Sequence, residues 1–302
     1  MPASKKTRRF QAPQSMKKYC RNLQKQGRSI GFVPTMGYFH DGHIAIIRKA
    51  RQQNDEIVVS IFVNPMQFGP HEDCDRYPRD LPRDMDICRD EGVGAVFIPE
   101  TKDLYPDGFS TKVSVGRLGE LLCGKSRPGH FDGVATVVLK LLEIVRPDRF
   151  YLGQKDAQQA LIITRMVDDF NLDSKLTIVP TVREKDGLAL SSRNAYLSEE
   201  ERRQAPVLSR ALRAVQKKML VGGETGVEAI ETLMKEMIES EPLARLDYAR
   251  AVDHESLEGM DPLRGRILLA VAAYFGEARL IDNLPVTVPG RMATERHRQG
   301  GA

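Results

Sequence analysis

"SIGFVPTMGYFHDGHIAIIRKARQQNDEIVVSIFV" (29–63) contains the smallest complete unit of this chain's architecture. It opens with an apolar, β-branched run over 29–35 and crosses a glycine-containing turn. An amphipathic helix pattern follows over 43–53, and a second β-branched run over 56–63. Strand, helix and strand of these lengths make a βαβ unit, which implies a parallel sheet with a right-handed crossover. The alternation continues downstream. A helix pattern over 79–92 precedes a strand over 94–99, and a strongly apolar helix over 132–145 precedes a strand over 149–153. A helix over 156–170 and a strand over 175–182 complete the series. Such a series predicts an α/β fold with a Rossmann-like, doubly wound parallel sheet, whose ligands bind beyond the carboxyl ends of the strands.

After Val182 the pattern changes. A polar loop, "REKDGLALSSRNAYLS" (183–198), leads to two charged helices (199–220 and 226–239) and three strand-like runs (246–253, 266–275 and 277–283). The chain therefore divides into a basic N-terminal extension and first helix (1–28), a Rossmann-like domain (29–183) and a smaller C-terminal α+β domain (184–284). A polar tail (285–302), rich in Pro and Gly, is predicted to be disordered. With 41% hydrophobic and 28% charged residues, the 302-residue chain has the balance of a soluble protein with a sizeable core. No run is long and apolar enough to span a bilayer, and no secretory h-region opens the chain. Cys20, Cys74, Cys88 and Cys123 are scattered without a C-x-x-C pair, which argues against a zinc site or a disulfide framework and suits a reducing cytoplasm.

Two short patterns suggest phosphate chemistry. "GELLCGKS" (119–126) fits the phosphate-loop pattern letter for letter, but that mechanism needs a buried strand before it and a helix opening at the Lys-Ser pair. The preceding run is mixed, and Pro128 and Gly129 oppose a helix at Lys125, so a phosphate loop is not expected there. The second pattern is His40-Asp-Gly-His43, at the start of the first helix. Residues three apart across a helix start can present both imidazoles to one ligand, and the helix N-terminus adds unsatisfied N–H donors. Two such rings can donate to phosphate oxygens as a phosphoanhydride breaks. A zinc pair would need further ligands that no cluster offers, and a plain turn would not need two histidines. No metal ligand is assigned. Farther along, Asn64 and Gln67 are neutral amides closing the second strand, and "GQKDAQQ" (153–159) follows the strand at 149–153 and opens a helix. "LSSRN" (190–194) offers two hydroxyls and a guanidinium, a good set for phosphate oxygens.

H-x-G-H after a first strand resembles the signature of the nucleotidyltransferase superfamily, which includes class I aminoacyl-tRNA synthetases. The longer strings "PTMGYFHDGH" (34–43), "SIFVNPMQFGP" (60–70), "DRYPRD" (75–80), "RPGHFDGVATVVLKL" (127–141), "RPDRFYLGQKDAQQ" (146–159), "VPTVREKDGLALSSRN" (179–194) and "LIDN" (280–283) together resemble the pantothenate synthetase (pantoate–β-alanine ligase) family. The resemblance runs from about residue 29 to residue 283. It implies ATP-dependent condensation of pantoate with β-alanine through a pantoyl adenylate, with release of AMP and pyrophosphate. It also implies MgATP as the nucleotide, with Mg²⁺ held mainly by phosphates and water, and a homodimer.

Residue by residue, the resemblance implies that His40, His43, Lys155, Ser191, Ser192 and Arg193 serve catalysis and the phosphates. Pro34, Thr35, Met36, Gly42, Gly153, Asp156 and Val182 would contact the rest of ATP, with Gly153 and Asp156 at the ribose. Gln67 and Gln159, with Asn64, Arg127 and His130, would form the pantoate pocket. Loop 69–79 is a candidate lid. Departures from the family pattern are Tyr38-Phe39 before the motif, Leu190 where Met is usual and Ala157 where an aromatic is usual; none removes a polar group. Two other readings compete. A different H-x-G-H nucleotidyltransferase is opposed by the paired glutamines and the length of the resemblance. A nucleic-acid-binding protein using the basic ends is opposed by the small net charge of +4 and 6% aromatic content. The expected partners are small molecules, with neither nucleic acid nor membrane.

Overall fold

The computed structural model describes residues 6–70 and 72–288. Strand β1 (Arg8–Phe10) and helix α1 (Pro13–Lys25) precede β2 (Ile30–Thr35), α2 (Asp41–Gln53) and β3 (Glu56–Ile61). The chain continues through α3 (Leu81–Asp90), β4 (Ala95–Phe97), α4 (Thr101–Leu104), α5 (Cys123–Ser126), α6 (His130–Val145), β5 (Arg149–Gly153), α7 (Ala157–Asp169) and β6 (Lys175–Val179). Six strands form one parallel sheet in the order β1-β4-β3-β2-β5-β6. In the central pair, Ile30 faces Glu56 and Thr35 faces Ile61.

The β-branched runs are buried because helices cover both faces of the sheet. Helices α1, α6 and α7 supply Met16, Leu142 and Ile163 to one face. Helices α2 and α3 supply Ile47, Ala50 and Cys88 to the other. Phe32, Phe97 and Phe150 are fully buried, each contributing about 1.5–3 kcal/mol of hydrophobic stabilisation. From β2 the chain builds the sheet one way through β3 and β4, then the other way through β5 and β6. That reversal opens a crevice beyond the carboxyl ends of β2 and β5.

Beyond Val179, Pro180 ends β6, because proline cannot donate to a ladder. A loop closed by pairing of Arg183 with Ala189 leads to α8 (Glu199–Gln204), α9 (Val207–Leu220) and α10 (Val227–Glu239). Strands β7 (Ala244–Asp253), β8 (Gly265–Phe275) and β9 (Ala278–Val288) follow as an antiparallel sheet in the order β7-β8-β9. Leu208, Leu212, Met234 and Ile238 pack on that sheet and give it a core of its own.

The structure corrects the sequence reading at four places. The N-terminal extension contains β1, which pairs with β4 at the sheet edge; Phe10 packs on the core and stacks 4.9 Å from Tyr19. Three residues, two of them charged, are too few to produce a readable period. The helix expected over 199–220 is two helices, broken at Ala205–Pro206 by the missing proline N–H. The strand expected over 175–182 stops at Val179. Residues 285–288, expected to lie in that tail, instead belong to β9, where Pro285 pairs with Leu268. An edge strand tolerates proline, since one of its sides needs no donor. The rest of that tail, and the N-terminal lysine Lys5, lie outside the described residues.

Candidate active site

The crevice at the strand reversal is a cavity of ≈230 Å³, and every site residue named from the sequence lines it. Its floor is apolar, formed by Phe62, Val134, Val137, Val138 and Leu141. A second cavity of ≈360 Å³ lies against the C-terminal sheet and shares Arg127, Lys155, Gln159 and Arg193 with the first. The two are one crevice pinched by those side chains.

The H-x-G-H turn is built by hydrogen bonds that leave one face of each imidazole free. His40 is the N-cap of α2, and its Nδ1 accepts the Gly42 N–H at 3.1 Å. The His40 backbone N–H in turn donates to His43 Nδ1 at 3.3 Å, closing a capping box made of two histidines. With both Nδ1 atoms accepting, the remaining proton of each neutral ring sits on Nε2 as a donor. The rings lie 4.1 Å apart. Burial first, then the Lys155 charge, lowers His40 to about 4. Burial, followed by His40 and Lys155, holds His43 well below its ordinary range. Both rings are therefore neutral donors near pH 7. Gly42 is required by this packing, since a Cβ there would meet the His40 ring at 2.8 Å.

The bend before the pair is held from another helix. Gly37 and Tyr38 have φ of 86° and 54°, and the N–H groups of Tyr38 and Phe39 donate to Asp84 at 2.7 and 2.8 Å. Asp84 is 1% exposed, on α3. Burial raises its carboxyl above the ordinary range, against the opposing pull of those two hydrogen bonds.

The amides divide into one that anchors and two that face the cavity. Asn64 is fully buried and bonded all round. It donates to Gln67 Oε1 and to the Gly133 carbonyl, both at 3.1 Å, and accepts from Tyr105 Oη at 2.8 Å and the Met66 N–H at 3.3 Å. It thereby orients Gln67, whose Nε2 lies 3.2 Å from Met36 Sδ. Gln159 lines the cavity from the first turn of α7. Its neighbour Gln158 is buried and bonds the Cys123 N–H and the Leu118 and Leu121 carbonyls. Those bonds pin segment 118–123, the "GELLCGKS" region. That segment is a 3-10 turn and the four-residue helix α5, with no strand before it, and Lys125 is exposed. It has no phosphate-loop geometry.

The cations come paired with acids from loop 69–79. The Arg193 fork holds Asp73 at 3.0 and 2.8 Å, and the Arg127 fork holds Glu72. Burial would raise both carboxyls, but the arginine hydrogen bonds and charge outweigh it and hold them below the ordinary range. His130 bridges the Gln67 carbonyl at 2.7 Å and Arg127 Nη1 at 2.9 Å. This makes it a neutral spacer; burial, then the Arg127 charge, lowers it to about 4. Lys155 sits 3.5 Å from Asp156, on the turn after β5. Ser191 Oγ accepts the Arg193 N–H at 3.3 Å, and Ser192 Oγ donates to the Tyr38 carbonyl at 3.4 Å. The phosphate candidates from both ends of the motif set thus meet at one bend. Among the described residues no three His, Cys, Asp or Glu side chains converge as a metal cage.

The pantoate–β-alanine ligase family matches residues 8–285. The chain belongs to that family. A pantothenate synthetase of Caldicellulosiruptor bescii is 54% identical over 273 residues, which cover 90% of this chain and 96% of the relative. The pantothenate synthetase structure from Thermus thermophilus superposes with a TM-score of 0.87 at 46% identity, over 92% and 98% of the two chains. A pantoate–β-alanine ligase of Francisella tularensis, complexed with β-γ ATP and β-alanine, superposes at 0.77 with 38% identity over 92% and 97%. As a pantoate–β-alanine ligase family member, the chain is a ligase. Within this ligase, the sequence reading missed Asp84, Glu72 and Asp73 as site-building groups. Asp84 had a usable signal, an acid at a buried position one turn before Cys88 on α3.

Proposed function

We propose that the protein joins pantoate to β-alanine at the expense of ATP, through an enzyme-bound pantoyl adenylate. The observation that carries this reading is one crevice in which neutral Nε2–H donors and Lys155 stand beside a neutral-amide pocket with an apolar floor. The apolar floor suits pantoate's geminal methyl groups, and the Gln67 and Gln159 amides suit its hydroxyls and carboxylate. The nucleotide would lie across Gly153 and Asp156 with adenine towards Val182 and Leu190. Its phosphates would face His40, His43, Lys155 and the Ser191–Arg193 loop. Asp73 must then release or share Arg193.

In the first step a pantoate carboxylate oxygen attacks the α-phosphorus, and pyrophosphate leaves. Charge grows on phosphate oxygens, where the imidazole N–H donors and Lys155 stabilise it. The neutral rings neither take nor lose a proton. In the second step the β-alanine amine attacks the acyl carbon; the C–N bond forms as the acyl C–O bond breaks, the nitrogen's proton passes to solvent, and AMP leaves carrying one former carboxylate oxygen. No side chain need act as a covalent nucleophile, so rate comes from positioning and charge stabilisation. Mg²⁺ held mainly by the nucleotide phosphates and water would neutralise part of the phosphate charge. Closure of the C-terminal unit and loop 69–79 would exclude water from the adenylate. The test is product analysis with the purified protein. AMP, pyrophosphate and pantothenate should appear in equal amounts, and only with both pantoate and β-alanine in multiple turnovers; ADP formation, or turnover without pantoate, contradicts the reading.

A further inference from the structure

Asp282 and Asn283 belong to the antiparallel sheet, yet they reach both loops that carry the phosphate-facing groups. Asn283, 5% exposed, donates from Nδ2 to the Gln154 and Lys155 carbonyls at 3.0 and 2.8 Å, and its Oδ1 accepts Gln154 Nε2 at 2.9 Å. Every hydrogen-bonding position of that amide's donor side goes to the turn bearing Lys155. Asp282, 3% exposed, takes the Arg183 fork at 2.5 and 2.8 Å, while Arg183 Nη1 also donates to the Gly187 carbonyl at 3.0 Å. That second set fixes the loop whose far end, Leu190, donates its N–H to the Val182 carbonyl at 3.0 Å and continues into Ser191–Arg193. Strand β9 pairs with β8 along its whole length, so both residues move with the sheet as one body.

We propose that Asp282 and Asn283 are positioning residues which couple the seating of the C-terminal sheet to the placement of Lys155 and of the Ser191–Arg193 loop. This rests on the reading that those groups face nucleotide phosphates. Displacement of the sheet would then disassemble the phosphate side of the crevice and leave Gln67, held by Asn64 and seated on α6, in place.

The discriminating variant is Asn283→Asp, which keeps shape and acceptor but loses both donors. Pyrophosphate release with pantoate should slow about tenfold and the KM for ATP should rise about tenfold, the size expected for losing one or two ordinary hydrogen bonds. The KM for pantoate should stay within about twofold, since the amide pocket has no bond to Asn283. Amides of Ser191–Arg193 should exchange hydrogen faster without nucleotide. Arg183→Lys, which loses the bidentate fork, probes the other arm and should give the same ATP-selective defect if Asn283→Asp does not fold. Wild-type KM for ATP and unchanged exchange would overturn the proposal, as would equal losses for ATP and pantoate. If the unaltered protein releases no pyrophosphate with pantoate, the proposed reaction fails, and the exchange rates alone decide the clamp.

Discussion

His40 and His43 owe their chemistry to where their Nδ1 atoms are bound. Each accepts a backbone N–H, so each presents Nε2–H to the crevice, and burial keeps the rings uncharged. Removing one transition-state donor costs an enzyme roughly 10²–10³ in rate. His43→Ala and Lys155→Ala should lower adenylation by about that much in single-turnover pyrophosphate release; near-normal rates in both would remove the roles given to them. The same burial sets a pH dependence. The ordinary imidazole near pH 6.5 takes up protons in the unfolded chain, whereas folded His40 and His130 resist until about 4. Stability must therefore fall as pH drops from about 6.5 towards 4, and their contribution is constant above and below that window. His40→Asn keeps a cap acceptor but cannot titrate, so its melting temperature should fall less across the window. Parallel pH profiles for variant and parent would contradict the assignment. The meeting of the two histidines at one bend was legible in the sequence because their spacing crosses a strand–turn–helix junction. Asp73 and Glu72 were not, because nothing in a polar loop reveals which cation its acids will meet.

The strands and helices were easier to read than the contacts between them. Period and composition located β2, α2, β3, β5 and α7 closely, because each buries one continuous stripe or run. What escaped was set by single residues acting across elements. The glycine at position 133 is an example: it sits inside α6, where a Cβ would meet the Met66 carbonyl oxygen at 2.2 Å and the Gln67 nitrogen at 2.8 Å. Helix α6 can seat the 64–67 turn only without a side chain there. Gly133→Ala should destabilise the protein by about 1–3 kcal/mol through overpacking. It should also raise the KM for pantoate more than that for ATP, since it displaces Gln67 and not Lys155. An unchanged melting temperature together with an unchanged pantoate KM would show that the turn accommodates the methyl. Asp84 acts similarly from α3, holding a left-handed bend that its own helix pattern does not announce.

The molecule assembles its crevice from two bodies. The parallel sheet contributes the H-x-G-H turn, the amides and Lys155; the loop between bodies contributes Ser191–Arg193; the antiparallel sheet contributes Asp282 and Asn283. The order of segments along the chain revealed the two bodies but not their docking, which depends on side chains far apart in sequence, such as Asn283 and Lys155. The reaction proposed for this crevice activates a carboxylate as an acyl adenylate. Pantoate labelled with ¹⁸O in its carboxylate tests it most directly. With ATP and β-alanine, the AMP formed should carry one ¹⁸O and the pyrophosphate none. Unlabelled AMP, or label in inorganic phosphate beside ADP, would contradict it.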